Sequence, residues 1–211
     1  MGWKCNSVLL RPATLDIGAD LLLGDLGYEG LSPLGEAPYE QAIWPLKETI
    51  WIAEINGCLI LSGRGLADEF FGARRPPLVD RLFARHPKAE IGAVTLHSVV
   101  NLWGFAVYRE GREIRSKAGS SDDGTFRDFG APLGEEAEQL ACSRLEGGER
   151  VYRLPEFPGE DLSEDQVGED YVFKIFQRFT GLRPDRDEEL LTLKCAGFRL
   201  APKPIWRRFF N

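Results

Sequence analysis

One of the two histidines is the residue whose type most suggests catalysis. His97 ends an apolar run, and an imidazole in such a strand can act as a general base because its pKa lies near working pH. Such a base needs an orienting carboxylate, and the candidates are Glu54, Asp122, Asp123 and Asp128. The sequence equally allows a buried imidazole that has a hydrogen-bond partner in the core and no catalytic role.

Glu54 is the second candidate, because it interrupts an otherwise apolar strand. It lies between Ala53 and Ile55, so its carboxyl group must be paired, shifted in pKa or placed near a sheet end. It suits a catalytic acid or base, and it suits a hydrogen-bonded structural acid as well. Ser98 directly follows His97 and therefore points to the opposite face of the strand, which disfavours a Ser/His pair.

Metal and cofactor sites have little support in the sequence. Asp122, Asp123 and Asp128 resemble a cation-binding loop, but they lack the alternating oxygen ligands and terminal Glu of an EF-hand. A polar hairpin turn explains them without a ligand. The four cysteines are too widely spaced for a metal site, and no phosphate-binding or dinucleotide-binding glycine motif is complete. We therefore expect no metal and no cofactor.

The elements that must position His97 are clearest from Glu90 to Gly130. Glu110-Gly111 and Asp123-Gly124 each separate two strand-like runs, and both dipeptides suit tight hairpin turns. The stretch therefore predicts an antiparallel meander in which His97 faces inward. In the third strand of the meander the alternation predicts one solvent-facing side, which carries three charged residues: Glu113, Arg115 and Lys117.

Other segments fill in the rest of the sheet. Asn56-Gly57 between two apolar runs predicts a second hairpin, from Thr49 to Ser62. The Gly- and Pro-rich segment Tyr28–Pro45 suggests a loop, and Glu189–Leu200 suggests a final strand. Ser163 and Gln166 have the spacing of a capping box that begins a helix.

Length and charge narrow the class of protein. With 211 residues and 43% hydrophobic content, the chain can bury a substantial core, which favours a single domain over residues 1–211 with a C-terminal tail at 202–211. A net charge of −7 makes a nucleic-acid partner unlikely. The first apolar run is too short for a signal peptide or a membrane span, so we expect no membrane partner and a cytoplasmic location.

The tail combines aromatic and basic residues. Its large aromatic side chains are unfavourable in water and are expected to dock on the same chain, in a homo-oligomer or on a protein partner; they are Trp206, Phe209 and Phe210. A nucleic-acid contact is kept as a further hypothesis because of four bases: Arg199, Lys203, Arg207 and Arg208.

One stretch resembles a known group of proteins. The run His-Ser-Val-Val-Asn-Leu-Trp-Gly-Phe-Ala-Val-Tyr from His97 to Tyr108, together with Gly-Ala-Pro-Leu-Gly-Glu from Gly130, is similar to a group of bacterial domains of unknown function. The similarity is clearest over Thr95–Glu136. The resemblance implies a bacterial, cytoplasmic, single-domain protein, and it implies no activity and no role for any residue.

Together these patterns predict an α+β fold, a mostly antiparallel sheet with a central meander and three packed helices. The helices are expected at Ile17–Leu26, Pro77–Arg85 and Gln166–Thr180. The leading functional hypothesis is a non-enzymatic binding or protein-interaction domain, because no catalytic constellation is evident. The alternative is a small hydrolase-like or isomerase-like enzyme that uses His97 with Glu54 or Asp128.

Overall fold

The computed structural model describes residues 2–201 of the chain. Strands dominate this part of the chain. In chain order they are β1 (Lys4–Arg11), β2 (Ser32–Pro38), β3 (Thr49–Ile55), β4 (Cys58–Gly63), β5 (Glu90–His97), β6 (Leu102–Arg109), β7 (Arg112–Ser120), β8 (Gly124–Gly130), β9 (Ser143–Glu146), β10 (Glu149–Tyr152) and β11 (Lys194–Arg199).

The helices are shorter, with one exception. They are α1 (Ala19–Asp25), α2 (Tyr39–Ala42), α3 (Pro77–Arg85), α4 (Ala137–Ala141), α5 (Glu164–Thr180) and α6 (Glu188–Thr192). Three single turns of 3₁₀ helix add to them, at Asp68–Phe71, Ser98–Val100 and Gly134–Glu136.

Nine strands form one sheet in the order β2-β11-β3-β4-β1-β5-β6-β7-β8. Every neighbouring pair in it is antiparallel, and the first strand of the chain lies in the centre, between β4 and β5. Strands β5 to β8 follow one another in sequence and in space, which confirms the predicted meander. The remaining two strands, β9 and β10, form a separate hairpin.

Both faces of the sheet are covered, and the alternation along β1 shows how. Cys5 and Leu9 belong to the buried cluster under α5, whereas Val8 and Leu10 belong to the cluster under α1 and α3. Because successive side chains of a strand point to opposite faces, a central strand covered on both sides buries all of its interior residues, here including the polar Asn6 and Ser7. The predicted α+β fold with a mostly antiparallel sheet is therefore confirmed.

The long helix α5 is defined at both ends by local sequence. The N–H of Ser163 donates to Oε1 of Gln166 at 2.9 Å, as expected for the reciprocal half of a capping box. Gly181 ends the helix with a φ of 80°, a left-handed conformation that glycine adopts without steric cost. Within the helix, Gly168 lies against the indole of Trp103, where an added Cβ would come within 2.2 Å of the ring. The glycine therefore lets α5 approach the sheet closely.

Several local predictions agree with the structure and others were wrong. The helix at Pro77–Arg85 has the predicted bounds, and α5 begins two residues before the predicted Gln166. The segment Tyr28–Pro45, predicted to be a loop, contains β2 and α2. Glu189–Leu200, predicted to be one strand, begins as α6 and becomes β11 at Lys194.

The prediction that one side of β7 faces solvent was wrong, because charged residues on that side are buried. Arg115 and Lys117 are each only 2% exposed, because α5 and the loop before α4 cover this face of the sheet. Their charges are matched by carboxylates from those segments, Glu136 for Arg115 and Glu164 for Lys117. The cover comes from residues later in the chain, so the alternation within β7 could not reveal it.

Candidate functional site

His97 lies at the end of β5, partly exposed, with its ring 5.5 Å from the ring of Trp44 and inclined to it by 32°. Burial, together with the positive charges of Lys4 and Arg64, lowers the pKa of this imidazole. Within residues 2–201 no carboxylate forms a hydrogen bond or ion pair with it. The environment therefore favours the neutral ring and supplies no orienting acid.

Glu54 lies far from His97. Glu54 is paired with Leu59 on β4, and the same row of the sheet continues through Leu10 on β1 to Ile91 on β5. Because His97 is six residues beyond Ile91, Glu54 and His97 are six residues apart along the strand direction. At 3.3 Å per residue this is about 20 Å. The Glu54 carboxylate is exposed and accepts a hydrogen bond from the backbone N–H of Leu15 at 2.7 Å.

Asp128 is also distant from the imidazole. It lies opposite Lys117 on β8, three strands away from β5, and a strand spacing of 4.8 Å makes this about 14 Å across the sheet. Its carboxylate is 54% exposed and pairs with Arg115. Asp122 and Asp123 are exposed in the β7–β8 turn, where the Ser120 hydroxyl bonds to Asp123 at 3.1 Å. The structure thus brings no sequence-predicted carboxylate to His97.

The most promising cleft lies elsewhere, between the first half of α5 and the connection from β5 to β6. We call it the α5 cleft; it has a volume of about 520 Å³ and is also lined by Arg183, Asp185 and Arg186 of the segment after α5. Trp103 and Phe173 form its almost fully buried floor, and Trp3 packs edge-on against Phe173 with ring centroids 5.5 Å apart. The indole Nε1 of Trp103 is buried and has no hydrogen-bond partner among the described residues.

Acidic residues outnumber basic ones in the α5 cleft. Arg183 donates to Asp170 at 2.8 Å and to Asp185 at 2.9 Å. Lys174 also pairs with Asp170 at 3.2 Å, so bases of the chain match both carboxylates. Asp165 and Glu169 form no ion pair with any described residue. The only other base in the cleft, Arg186, is oriented toward Asp185. The cleft therefore keeps two uncompensated negative charges.

Asp165 and Glu169 are held in place by neutral donors. Nδ2 of Asn101 donates to Asp165 at 3.1 Å, and Oγ of Ser98 donates to Glu169 at 2.5 Å. The two acids are one helical turn apart and share a face, where like charges disfavour the helix by roughly 0.2–0.5 kcal/mol. The helix dipole offsets this for Asp165, which lies in the first turn, but hardly for Glu169, since the effect falls off beyond that turn.

Ser98 begins a single 3₁₀ turn that Asn101 directly follows, which we call the valine turn (Ser98–Val100). Its two valines are 71% and 45% exposed, although they are branched apolar side chains. The turn is held by the N–H of Ser98, which donates to the carbonyl of Trp3 at 2.9 Å, and it ends at Asn101 in the left-handed region with a φ of 45°. An anchored turn therefore presents two valines to solvent beside the acidic cleft.

The described part of the chain offers no candidate for a metal-ligand cluster, a disulfide or a membrane-spanning helix. Within residues 2–201, no group of three or more His, Cys, Asp or Glu side chains is arranged to hold a metal ion. All four cysteines are free, and burial raises the pKa of the Cys58 thiol to about 12. None of the helices in this range is both long enough and apolar enough to cross a bilayer.

Comparison with known proteins places the chain in a family. Residues 12–165, well over half of the chain, match a family of unknown function, DUF6928. The chain belongs to this family. The DUF6928 match ends at Asp165, so it includes the valine turn and Trp103, whereas Glu169 and Arg183 follow it. No curated protein and no solved structure matches the chain.

Sequence reasoning missed Asp165 and Glu169, although the sequence carries a signal for them. Two acids four residues apart on a helix lie on one face, and Ser98 is a polar side chain just beyond the end of a buried strand. The hypotheses about Trp206, Phe209 and Phe210 concern residues outside the described range. Arg199, the described member of the basic group near the tail, is exposed at the end of β11.

Proposed function

We propose that this protein is a non-enzymatic binding domain, in which the α5 cleft and the valine turn together bind a segment of a partner protein. The segment carries a lysine or arginine for the cleft and aliphatic side chains for the turn. Asp165 and Glu169 carry the proposal, because they are uncompensated carboxylates oriented by neutral donors next to exposed valines.

The chemistry of the site matches such a segment. Carboxylate oxygens accept hydrogen bonds from ammonium and guanidinium groups, and these charge-assisted bonds are stronger than neutral ones. Trp103 and Phe173 form an almost fully buried aromatic floor, so the contacts with a long basic side chain come mainly from the carboxylates. Exposed Val99 and Val100 gain by leaving water, at roughly 25 cal/mol per Å² of apolar area buried.

The expected affinity is modest. A single exposed ion pair contributes about 0.2–1 kcal/mol, and complexes that bury less than roughly 1,200 Å² are generally weak or transient. We therefore expect a transient complex that weakens with salt, because the charges of the cleft are near the surface and are screened within about 10 Å at 0.1 M ionic strength.

A peptide-display selection tests the proposal while the natural partner is still unidentified. Random dodecapeptides are selected on the full-length chain, and the enriched peptides are then measured by calorimetry. We expect the enriched peptides to combine Lys or Arg with aliphatic residues. We also expect their affinity to fall several-fold in the double variant Asp165→Asn/Glu169→Gln, because the variant removes both carboxylate charges but keeps the shape of the side chains.

A matched double variant controls for the loss of net charge. Asp20→Asn/Glu29→Gln removes the same two charges from exposed positions in and after α1, on the other face of the sheet. This control should leave peptide affinity unchanged. Enriched peptides that bind both double variants equally, or that lack basic residues, would refute the proposal.

The cellular setting forms part of the same proposal. A cytoplasmic location is supported by four cysteines that are all free thiols, as expected of a reducing compartment. A bacterial source is supported by the resemblance found in the segment from His97 to Tyr108. Quantifying the redox state of the thiols in the source cells tests the location, since oxidised cysteines would contradict it.

A further inference from the structure

A second cleft lies at the opposite end of α5, and its chemistry is reversed. It has a volume of about 570 Å³ and lies where β1 and β6 end, β5 begins and α5 ends. Four bases from four separate segments line it: Arg11, Lys88, Arg109 and Arg178. We propose that this basic cleft binds a small, soluble, phosphate-bearing anion.

One carboxylate organises the floor of the basic cleft. Arg11, Glu90 and Arg109 form a row across three neighbouring strands, with Glu90 in the middle. Nε of Arg109 donates to Oε1 of Glu90 at 2.6 Å, and Nη2 of Arg178 donates to both Glu90 oxygens at 3.0 Å. Two guanidinium groups are thus held in fixed orientations by a single acid, which cannot neutralise both.

The remaining donors are available for a ligand. Arg11 uses Nη1 to donate to the backbone carbonyls of Phe179 at 3.1 Å and Arg178 at 3.4 Å, which leaves its Nε and Nη2 without a partner among the described residues. Lys88 is exposed and forms no ion pair with any described residue. Arg11 is thus anchored with two donors to spare, and Lys88 adds an ammonium group that no described acid pairs with.

The charge balance of the basic cleft favours an anion, although two further carboxylates lie near it. Glu135 also pairs with Arg178 at 2.7 Å, and Glu110 lies on the rim of the cleft without a base partner in the described chain. Glu90 and Glu135 are both paired with arginines. Arg11 and Lys88 therefore place uncompensated positive charge at this point of a chain whose net charge is −7.

The donor set indicates the class of ligand. Guanidinium groups bind phosphate oxygens through paired, parallel N–H bonds, and an ammonium group adds a point charge. The volume of the cleft lies within the roughly 300–1,000 Å³ of small-molecule sites. A phosphate or pyrophosphate group fits this combination.

Titration of the full-length chain with inorganic pyrophosphate tests the inference. Binding is followed by amide chemical shifts at constant ionic strength, with sodium chloride as the reference. We expect saturable shifts in the amides of Arg11, of residues 88–90 and of residues 109–110, since Pro12 and Pro87 have no amide proton. Lys88→Gln should weaken binding several-fold and Glu110→Gln should strengthen it, because the first removes a donor and the second removes a repelling charge.

Lys47→Gln is the matched control, since Lys47 is an exposed lysine remote from the cleft. It should leave the affinity unchanged. Equal weakening by Lys88→Gln and Lys47→Gln, or shifts that do not saturate, would overturn the inference. A parallel arm uses phosphatidylcholine vesicles that contain phosphatidic acid: binding to the vesicles without binding to pyrophosphate would show that a lipid surface, rather than a small anion, is the ligand.

Discussion

Arg115 is a charged side chain that is almost completely removed from solvent. Its Nε donates to Oε2 of Glu136 at 2.8 Å and its Nη2 donates to Oε1 at 2.6 Å, a two-point pair in which Glu136 is equally buried. The same carboxylate accepts the N–H of Leu133 at 2.8 Å. Removing one member of such a pair leaves the other as an uncompensated buried charge.

Glu136→Gln should therefore lower the free energy of unfolding by about 3 kcal/mol, the lower end of the range for breaking a buried pair. Asp128→Asn is the comparison, because Asp128 contacts the same Arg115 from a largely exposed position and should change stability by less than about 1 kcal/mol. Urea denaturation of both variants gives the measurement. Equal effects would show that burial of the Glu136 carboxylate is unimportant.

At the scale of single elements, the contact between α5 and β6 depends on the absence of one side chain. Alanine normally stabilises a helix interior relative to glycine by about 1 kcal/mol. At Gly168 the added methyl group would meet the Trp103 ring within 2.2 Å, so the helix must move away from the sheet. At this position, helix propensity therefore favours alanine, whereas packing against Trp103 favours glycine.

We expect Gly168→Ala to destabilise the protein by about 1–3 kcal/mol, the usual cost of overpacking, and to weaken peptide binding at the adjoining α5 cleft. Gly24→Ala is the matched control, because Gly24 lies in helix α1 and an added Cβ would meet nothing within 4 Å. It should be stabilising by roughly 0.5–1 kcal/mol. Thermal denaturation measures both variants, and stabilisation by Gly168→Ala would contradict the close approach.

Local sequence signals were sufficient for elements that are specified locally. The capping box at Ser163 and the Asn56-Gly57 turn marked their elements, because the residues that define such structures are neighbours in the chain. The burial of Arg115 and Lys117 was not predictable from β7, since the covering carboxylates lie 21 and 47 residues later. The α5 cleft was missed for the same reason, as it joins side chains from around Ser98 and from α5.

At the scale of the whole molecule, charge is separated along α5. The acidic cleft lies beside Asp165 and Glu169, and the basic cleft begins at Arg178, nine residues beyond Glu169. At 1.5 Å per residue these two backbone positions are about 14 Å apart along the helix axis. Ligands of opposite charge can therefore bind on the same side of the sheet without competing for residues.

Acid should destabilise the fold. Burial opposes ionisation of Glu164, but hydrogen bonds from Lys117, Thr125 and Tyr152 outweigh it, so the pKa of this carboxyl is lowered. The pKa of Glu90 is lowered in the same way, with burial outweighed by bonds from Arg178 and Arg109. Below the ordinary glutamate pKa of about 4.3 the unfolded chain then binds more protons than the folded one.

The contribution of Glu164 and Glu90 to the free energy of unfolding should therefore be constant at and above about pH 6. It should fall as the pH drops through the folded-state pKa values of the two groups. Glu164→Gln removes one of the two contributions, so its profile should be flatter in the acidic range. Denaturant titrations at a series of pH values measure the slope. A wild-type profile that rises on acidification would contradict the assigned ion pairs.

The central claim is that Asp165, Glu169 and the valine turn form one binding surface, and amide chemical shifts with a bound peptide test it most directly. A peptide enriched on the full-length chain is titrated into isotopically labelled protein. We predict that the largest shift changes fall on residues 98–101 and 165–170 and disappear in Asp165→Asn/Glu169→Gln. Saturable shifts confined to other parts of the sheet, and retained in that variant, would contradict the claim.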